Sequence, residues 1–481
     1  MSDVRASVLG GSYLRTHDAS ARIQFRRGLT LTAMTLLMPG SAQLVSGNKK
    51  VGRIALRVWG GVFAVAVVLG LIALTSRRGL FEITTNPRLI TLATWLLVAF
   101  AIAWVGLLVD AWRLASPLTM ARNHRLLMTG LNSMLCFATA GTLLFAAHTV
   151  SAGGHALDTV FASSTTSEAH DGRYNVLLLG GDSGEDRSGV RPDSLTVASI
   201  DVETGKTVLI GLPRNLQDVP FPKGSAMQKA WPDGFNCDDC YLNAINTWAN
   251  DHAGELADDY PGLEKPGIEV TKDAVQELTG LKINYYAMVN MKGFAKLINA
   301  VGGVTIDVHE RTAMFGHDDA WKQQYIEAGR QKLTGNQALW YARSRVQNDD
   351  FSRMGRQKCV MTAMLQELSP QAVLTNAQKI AAASSEMVST DIPRGDLAAF
   401  MDLAIKAKGQ KISSVSLVPP VIYTGNPDYD KVRRLISGAI DRSEGKVQPA
   451  VVRAKLSVPT ATADAKDPRK ANQSGDLQSA C

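Results

Sequence analysis

Three long apolar runs in the first 150 residues restrict the fold of this chain more than any other feature. Residues 54–75 contain Arg57 as their sole charge, and residues 89–109 and 126–147 contain none. Each run reaches the roughly 20 residues that a transmembrane helix needs. Three core helices of a soluble domain are the alternative, which the length of these uncharged runs disfavours. We expect a retained anchor of three transmembrane helices at 54–150, because no small-residue cleavage site follows a short apolar segment.

The lysines and arginines around these runs predict their orientation. Those before or at the entry to the first run are Arg5, Arg15, Arg22, Arg26, Arg27, Lys49, Lys50, Arg53 and Arg57, and those in the next loop are Arg77, Arg78 and Arg88. An excess of basic residues marks the cytoplasmic side. We therefore expect residues 1–53 to be a cytoplasmic basic segment, with its apolar run 29–38 at the membrane interface. Three crossings then place everything after residue 150 outside the cytoplasm.

After residue 171 the chain has the pattern of an α/β domain. Residues 151–171 are rich in small and polar side chains and predict a spacer. Predicted strands are 174–179, 194–201, 206–212, 283–289, 304–308 and 412–417, and predicted helices are 270–278, 291–301, one that starts near 350, and 371–408. Because strands and helices alternate, we expect a central sheet with helices on both faces at 172–440. Residues 441–481 have no apolar period and are predicted to be disordered.

An arginine-rich segment at 340–357 predicts an anion site. It contains Arg343, Arg345, Arg353 and Arg356 around the adjacent carboxylates Asp349 and Asp350. Either carboxylate can cap the next helix, on which Arg353, Arg356 and Gln357 share one face. The planar guanidinium fork suits phosphate oxygens better than an ammonium group does. The alternative is a solvated helix face held by salt bridges.

Two further carboxylates stand at predicted strand ends. Asp182 follows a strand and two glycines, and Asp193 lies in Arg191-Pro192-Asp193-Ser194 at the start of the next strand. If those strands pair, both carboxylates approach one hard cation such as Mg²⁺, which prefers oxygen ligands. Arg214 also follows a strand end. The alternative for Asp182 is a simple turn-forming role.

The net charge limits the classes of partner that we expect for this protein. The net charge of +7 suits phosphates, acidic lipids or nucleic acid. Nucleic acid is disfavoured, because the basic groups lie at separate loop ends of an exported domain without an aromatic stacking platform.

Cys237 and Cys240 form one CxxC, with no second Cys or His pair spaced for a zinc site, so we favour a local disulfide.

These motifs, in this order, resemble the LytR-CpsA-Psr (LCP) family of cell-wall glycopolymer ligases over residues 172–370 and to about 440. The matching stretches are 175–182, Arg191-Pro192-Asp193-Ser194, 210–214, 293–294, 301–304, 333–339 and 341–357. The resemblance implies an LCP-type α-β-α sandwich with a central mixed sheet, on a multi-pass anchor in the cell membrane of a Gram-positive type envelope. It also implies transfer of a glycopolymer, such as teichoic acid or arabinogalactan, from a polyprenyl diphosphate carrier in the membrane to a peptidoglycan hydroxyl. A phosphodiester forms and polyprenyl phosphate is released.

The resemblance also implies roles for the clustered residues. We expect Asp182 and Asp193 to bind Mg²⁺ or another divalent cation. The diphosphate oxygens would be bound by Arg191, Arg214, Arg343, Arg345, Arg353, Arg356 and Gln357. Arg343 and Arg345 would be essential for catalysis. Asp193 or Asp350 would accept the proton of the attacking hydroxyl.

Two positions depart from the family pattern. Asn215 stands where family members usually carry an aspartate, and Tyr241 stands where they usually carry a lysine before Leu/Ile-Asn. A lipid diphosphate phosphatase would use the same residues with water as the acceptor, so the sequence does not separate it from a ligase. A non-catalytic regulator that binds a lipid-linked glycan is the other alternative, and the two departures are what support it.

Overall fold

The computed structural model describes residues 23–162, 166–182, 191–314, 324–346, 349–367, 388–408 and 410–446, together with Asn472, Gly475 and Cys481. The chain divides into two compact units, Met1–His155 and Ala156–Cys481.

The first unit is helical. Its helices, the last of which runs past residue 155, are α1 (23–37), α2 (Ser41–Ser46), α3 (Lys49–Thr75), α4 (Arg77–Thr85), α5 (Pro87–Leu114) and α6 (Arg122–Val160). Within the described residues, three helical segments are long and apolar enough to cross a membrane: Lys49–Thr75, Pro87–Thr119 and Arg122–His155. The three apolar runs predict these three segments.

Two helix ends differ from the predicted boundaries. α3 begins at Lys49 rather than at residue 54, because the Asn48 side chain accepts hydrogen bonds from the backbone N–H groups of Lys50 and Val51. α6 continues to Val160, so residues 151–160 of the predicted spacer at 151–171 are helical. No proline interrupts α6, and its backbone hydrogen bonds therefore continue past the apolar run.

The second unit contains eleven strands among its described residues. They are β1 (Phe161–Ala162), β2 (Arg173–Asp182), β3 (Arg191–Asp201), β4 (Thr207–Leu212), β5 (Tyr285–Asn290), β6 (Val304–Val308), β7 (Thr312–Ala313), β8 (Tyr325–Ile326), β9 (Gly329–Leu333), β10 (Val388–Pro393) and β11 (Ser413–Ser416). Seven form one sheet in the order β1-β10-β5-β2-β3-β4-β11. β2 pairs antiparallel with β3 and parallel with β5, so the sheet is mixed, as the resemblance implies.

Helices cover both faces of this sheet. They are α7 (Ala226–Ala230), α8 (Ile245–Asp251), α9 (Gly267–Thr279), α10 (Met291–Ala300), α11 (Gly335–Arg343), α12 (Asp350–Glu367), α13 (Leu397–Lys408) and α14 (Tyr429–Glu444). On one face, Leu177 and Ile210 of the sheet share a core with Val270 of α9. On the other face, Leu209 packs with Met361 of α12. The predicted α-β-α sandwich is therefore confirmed.

Two predictions in the C-terminal third are wrong. Residues 388–393 form strand β10, not helix, because this β-branched stretch pairs antiparallel with β5; the predicted helical residues 371–387 lie outside the described part of the chain. Disorder does not begin at 441, since α14 runs to Glu444 and ends at Gly445, whose φ of +81° permits a left-handed cap.

Two disulfides lie in the second unit. Cys237 is bonded to Cys240, the pair that the sequence predicts. Cys359 of α12 is bonded to Cys481, a pairing that the sequence analysis missed. The region predicted as a disordered tail is also in contact at Asn472, which is 6% exposed and donates a hydrogen bond to the main-chain oxygen of Phe351 at the start of α12. Residues near the chain's end therefore contact the helix that carries the arginines.

Candidate active site

A cavity of about 950 Å³ opens at the sheet edge where β2 ends and β3 begins. Its polar lining comprises Arg191, Asp193, Ser194, Arg214, Asn243, Thr247, Asp251, Asn290, Arg343, Arg345, Arg353 and Gln357. Its apolar lining includes Leu178, Leu179, Ala287, Val289, Met291, Phe294, Leu297, Leu339, Val360, Met361 and Met364. Guanidinium groups from three separate stretches of sequence thus meet in one cavity.

The polarity of this cavity changes along α12. Arg353 and Gln357 line it from the first turns of the helix, and Val360, Met361 and Met364 line it from the later turns. At 1.5 Å per residue, the eleven steps from Arg353 to Met364 cover about 16 Å. The cavity therefore has a cationic end at the strand edge and an apolar end deeper between the helices.

Pairing of β2 with β3 brings the two predicted metal ligands to neighbouring strand ends. Asp182 is the last residue of β2 and lies opposite Arg191, and a bulge between Gly180 and Gly181 accommodates Asp193. A side chain at position 180 would approach the Ser194 Cβ atom to 3.1 Å, so glycine suits this tight pairing. The Asp182 side chain lies outside the described part of the structure.

Carboxylates hold the arginines of the cationic end. Asp193 is hydrogen-bonded to Arg214, whose other terminal nitrogen lies 3.5 Å from an Asp350 oxygen. Arg353 forms an ion pair with the same Asp350 oxygen at 3.0 Å, donates a hydrogen bond to the other Asp350 oxygen at 3.2 Å, and donates to the main-chain oxygen of Asp193 at 3.1 Å. Burial lowers the pKa of Arg353, and the Asp350 carboxylate opposes that shift. Asp193 lines the cavity, whereas Asp350 is not part of its lining.

Arg356 lies apart from the arginines that line the cavity. It is 1% exposed, and it is not among the residues that line the cavity. Its Nε donates to the Tyr341 oxygen at 2.7 Å and one terminal nitrogen donates to the Ser344 oxygen. The structure therefore does not bring Arg356 to the cavity with the other predicted arginines, because two of its nitrogens face main-chain oxygens at the end of α11. Its contact with the diphosphate stays a prediction. Gln357 does line the cavity, and it also donates to the Ala342 oxygen at 3.3 Å.

The segment between α11 and α12 carries the two arginines predicted to be essential. Arg343 is the last residue of α11, and its guanidinium lies 5.4 Å from the centre of the Trp340 ring. Arg345 follows two residues later and is exposed. Of the two predicted caps for α12, Asp349 is the one whose side chain accepts the backbone N–H of Ser352, at 2.9 Å. Caps and buried hydrogen bonds therefore fix the backbone on both sides of Arg345.

The described side chains provide a limited set of cation ligands. They contain no group of three or more His, Cys, Asp or Glu residues arranged to hold a metal ion. Asp193 is 31% exposed in its side chain and lines the cavity beside the end of β2. Mg²⁺ commonly uses one or two carboxylates and completes its shell with water and substrate phosphate. Among the described side chains, Asp193 fits that mode of binding as one carboxylate ligand.

Four residues near the arginines were not predicted as site residues from the sequence. Asn243, Thr247 and Asp251 line the cavity from α8 and the turn before it. Their spacing of four residues is common on helices, so the sequence gives little signal for them. Lys358 of α12 is 4% exposed and donates to the Ser414 hydroxyl at 3.2 Å. Burial lowers its pKa to about 7.

Comparison with known proteins gives consistent matches. The LytR_cpsA_psr family model matches residues 144–435. A curated relative is the polyisoprenyl-teichoic acid–peptidoglycan teichoic acid transferase TagV of Bacillus subtilis, 29% identical over 40% of this chain and 52% of TagV. Another is the cell wall biosynthesis protein LcpA of Corynebacterium glutamicum, 27% identical over 64% of this chain and 61% of LcpA. The chain thus spans about half to two thirds of these relatives. The crystal structure of B. subtilis TagV aligns with 58% of this chain and 100% of that chain, at 22% identity and a TM-score of 0.41.

Proposed function

The chain belongs to the LytR_cpsA_psr family, and from this premise we propose that it transfers a glycopolymer from a polyprenyl diphosphate carrier to peptidoglycan. The observation that carries the proposal is the cavity with two chemically different ends. Of the residues that the structure describes, five arginines line the cationic end: Arg191, Arg214, Arg343, Arg345 and Arg353. A diphosphate suits this end, and an apolar polyprenyl chain suits the end lined by Phe294, Leu297 and Met364.

The arginines supply what phosphoryl transfer asks of a protein, which is positioning and charge neutralisation. Their guanidinium groups bind the non-bridging oxygens and stabilise the charge that develops as the acceptor hydroxyl attacks the phosphorus next to the glycan. The new bond joins the acceptor oxygen to that phosphorus. The bond to the bridging oxygen breaks, and polyprenyl phosphate leaves. A divalent cation at Asp193 and Asp182 would add further charge neutralisation on the diphosphate.

We further propose that the second unit acts outside the cytoplasm. The three apolar segments form an anchor with both the N-terminus and the basic residues around Lys49 and Arg53 on the cytoplasmic side. An odd number of crossings then delivers the cavity to the side where peptidoglycan lies. The glycopolymer itself, whether teichoic acid, arabinogalactan or capsule, is set by contacts beyond the diphosphate.

Transfer can be measured with the full-length protein in proteoliposomes that contain a polyprenyl diphosphate carrier bearing a labelled glycan. We expect the label to join added peptidoglycan oligomers through a phosphodiester. Release of the label as a free phosphorylated glycan, at the same rate with or without oligomers, would instead identify a phosphatase. Binding of the carrier without turnover would identify a regulator, and either result contradicts the proposal.

Removal of divalent cations tests the proposed cation site. We expect treatment of the same proteoliposomes with EDTA to reduce transfer by about 100-fold or more, because the diphosphate loses part of its charge neutralisation. Added Mg²⁺ should restore the rate. In the Asp193→Asn variant, we expect half-maximal transfer to require a higher Mg²⁺ concentration. Full transfer in EDTA would show that the arginines act without a cation.

A further inference from the structure

One wall of the cavity is formed by polar side chains that are not arginines. It consists of Asn243, Thr247 and Asp251, which occur at intervals of four residues on α8 and the turn before it. Residues four apart lie on one side of a helix, and all three line the cavity. α8 belongs to the helical layer on the face of the sheet opposite to α12, since Ile245 packs in the core of that face. This wall is therefore separate from the α12 wall that carries Arg353.

The wall offers hydrogen-bonding groups that the protein does not use. The Thr247 hydroxyl is shielded from solvent and has no hydrogen-bond partner among the described residues. A shielded hydroxyl without a partner costs free energy unless something else bonds to it. Asp251 is exposed and forms none of the ion pairs found among the described residues. By contrast, Asp193 and Asp350 already accept from guanidinium groups of Arg214 and Arg353.

The chemistry of this wall fits a polyol and not a phosphate. It has an amide, a hydroxyl and a carboxylate, and it carries no cation to attract an anion. A carboxylate repels phosphate oxygens but accepts hydrogen bonds from sugar hydroxyls. A saccharide bound here would face the arginine-held diphosphate across the cavity.

We propose that Asn243, Thr247 and Asp251 form the binding site for the acceptor saccharide, and that Asp251 accepts the proton of its attacking hydroxyl. This inference rests on the proposed transfer function. As the acceptor oxygen bonds to the phosphorus next to the glycan, its hydrogen passes to the Asp251 carboxylate. The electron pair of the breaking bond leaves with the bridging oxygen of polyprenyl phosphate. The carboxylic acid then returns its proton to solvent, to which Asp251 is open.

Two substitutions in the full-length protein test the proposal. Asp251→Asn keeps the shape of the side chain but cannot take a proton, and we expect kcat for transfer to fall about 100- to 10,000-fold. Thr247→Val removes one hydroxyl from a similar volume, and we expect KM for the peptidoglycan oligomer to rise about 3- to 10-fold. Thr247→Ser, which keeps the hydroxyl, should restore the KM. In every variant, the Kd for the polyprenyl diphosphate donor should match the wild type.

Asp258→Asn is the matched control, because Asp258 is an exposed carboxylate outside the cavity lining. Asp251 is exposed at the end of α8, so the test does not depend on whether Thr247→Val folds. Wild-type kcat in Asp251→Asn, or a loss of donor affinity that accounts for its lower rate, would overturn the assignment of this wall to the acceptor. An inactive wild-type protein would overturn the proposed function together with this inference. An active wild type with an equally active Asp251→Asn would overturn this inference alone.

Discussion

Replacing Arg345 with alanine is expected to lower glycopolymer transfer by about 100- to 1,000-fold, the usual effect of removing one donor that stabilises developing negative charge. Arg345 lines the cavity and is exposed, so its guanidinium is available to a diphosphate. Its removal should change the free energy of unfolding by less than about 0.5 kcal/mol, as is usual for exposed positions. Arg343→Ala should cause a similar loss of transfer, although this variant also removes the contact with Trp340.

The control for this prediction is Arg330→Ala, because Arg330 is an exposed arginine on β9 outside the cavity lining. It should transfer the labelled glycan at the wild-type rate. Initial rates in proteoliposomes, together with circular dichroism of each variant, separate a chemical effect from misfolding. Wild-type turnover in a folded Arg345→Ala protein would dismiss the arginine site.

Replacing Lys358 with methionine is expected to stabilise the second unit by on the order of 4 kcal/mol at pH 7. Burial lowers the pKa of Lys358 from 10.5 to about 7, so the folded state disfavours the charged amine that the unfolded state keeps. The free-energy cost of keeping the charged amine in the folded state is fully present below pH 7. It shrinks as the pH rises toward 10.5, where the unfolded state also loses the proton. Methionine fills a similar volume without a charge.

Thermal unfolding of the full-length protein in detergent, followed by tryptophan fluorescence at pH 6, 7, 9 and 10, would measure this effect. The melting temperature of Lys358→Met should exceed that of the wild type most at pH 6 and least at pH 10. Lys229→Met, at an exposed helical lysine, should show no such pH-dependent difference. A gain that is the same at every pH would show that packing, and not the buried amine, causes it.

The sequence predicts the parts of this fold that depend on local pattern. An apolar run long enough to cross a membrane is helical in each of three cases, and the predicted strands 194–201 and 206–212 correspond to the antiparallel strands β3 and β4. Motifs at strand ends also predict much of the site. Because β2 and β3 pair, Asp193 and Arg191 share the cavity edge with Arg214.

What the sequence did not predict depends on contacts between distant elements. Helical spacing places Arg356 on the side of α12 that carries Arg353, but main-chain oxygens at the end of α11 accept hydrogen bonds from two of its nitrogens. Thr247 and Asp251 become site candidates only when α8 is placed beside the strand ends. Similarly, the stretch that forms β10 is predicted as part of a longer helix, and its pairing with β5 is a contact between distant elements.

The bond between Cys359 and Cys481 has a consequence for how the protein matures. Cys359 is the neighbour of Lys358 and Val360, so this cross-link is built into the helix that forms the cavity wall. A newly made chain holds these two cysteines as thiols, separated by 122 positions. Their joining withdraws two electrons, which an oxidant has to take up. Completion of this cavity wall would therefore depend on the cell's thiol oxidants as well as on folding of the chain.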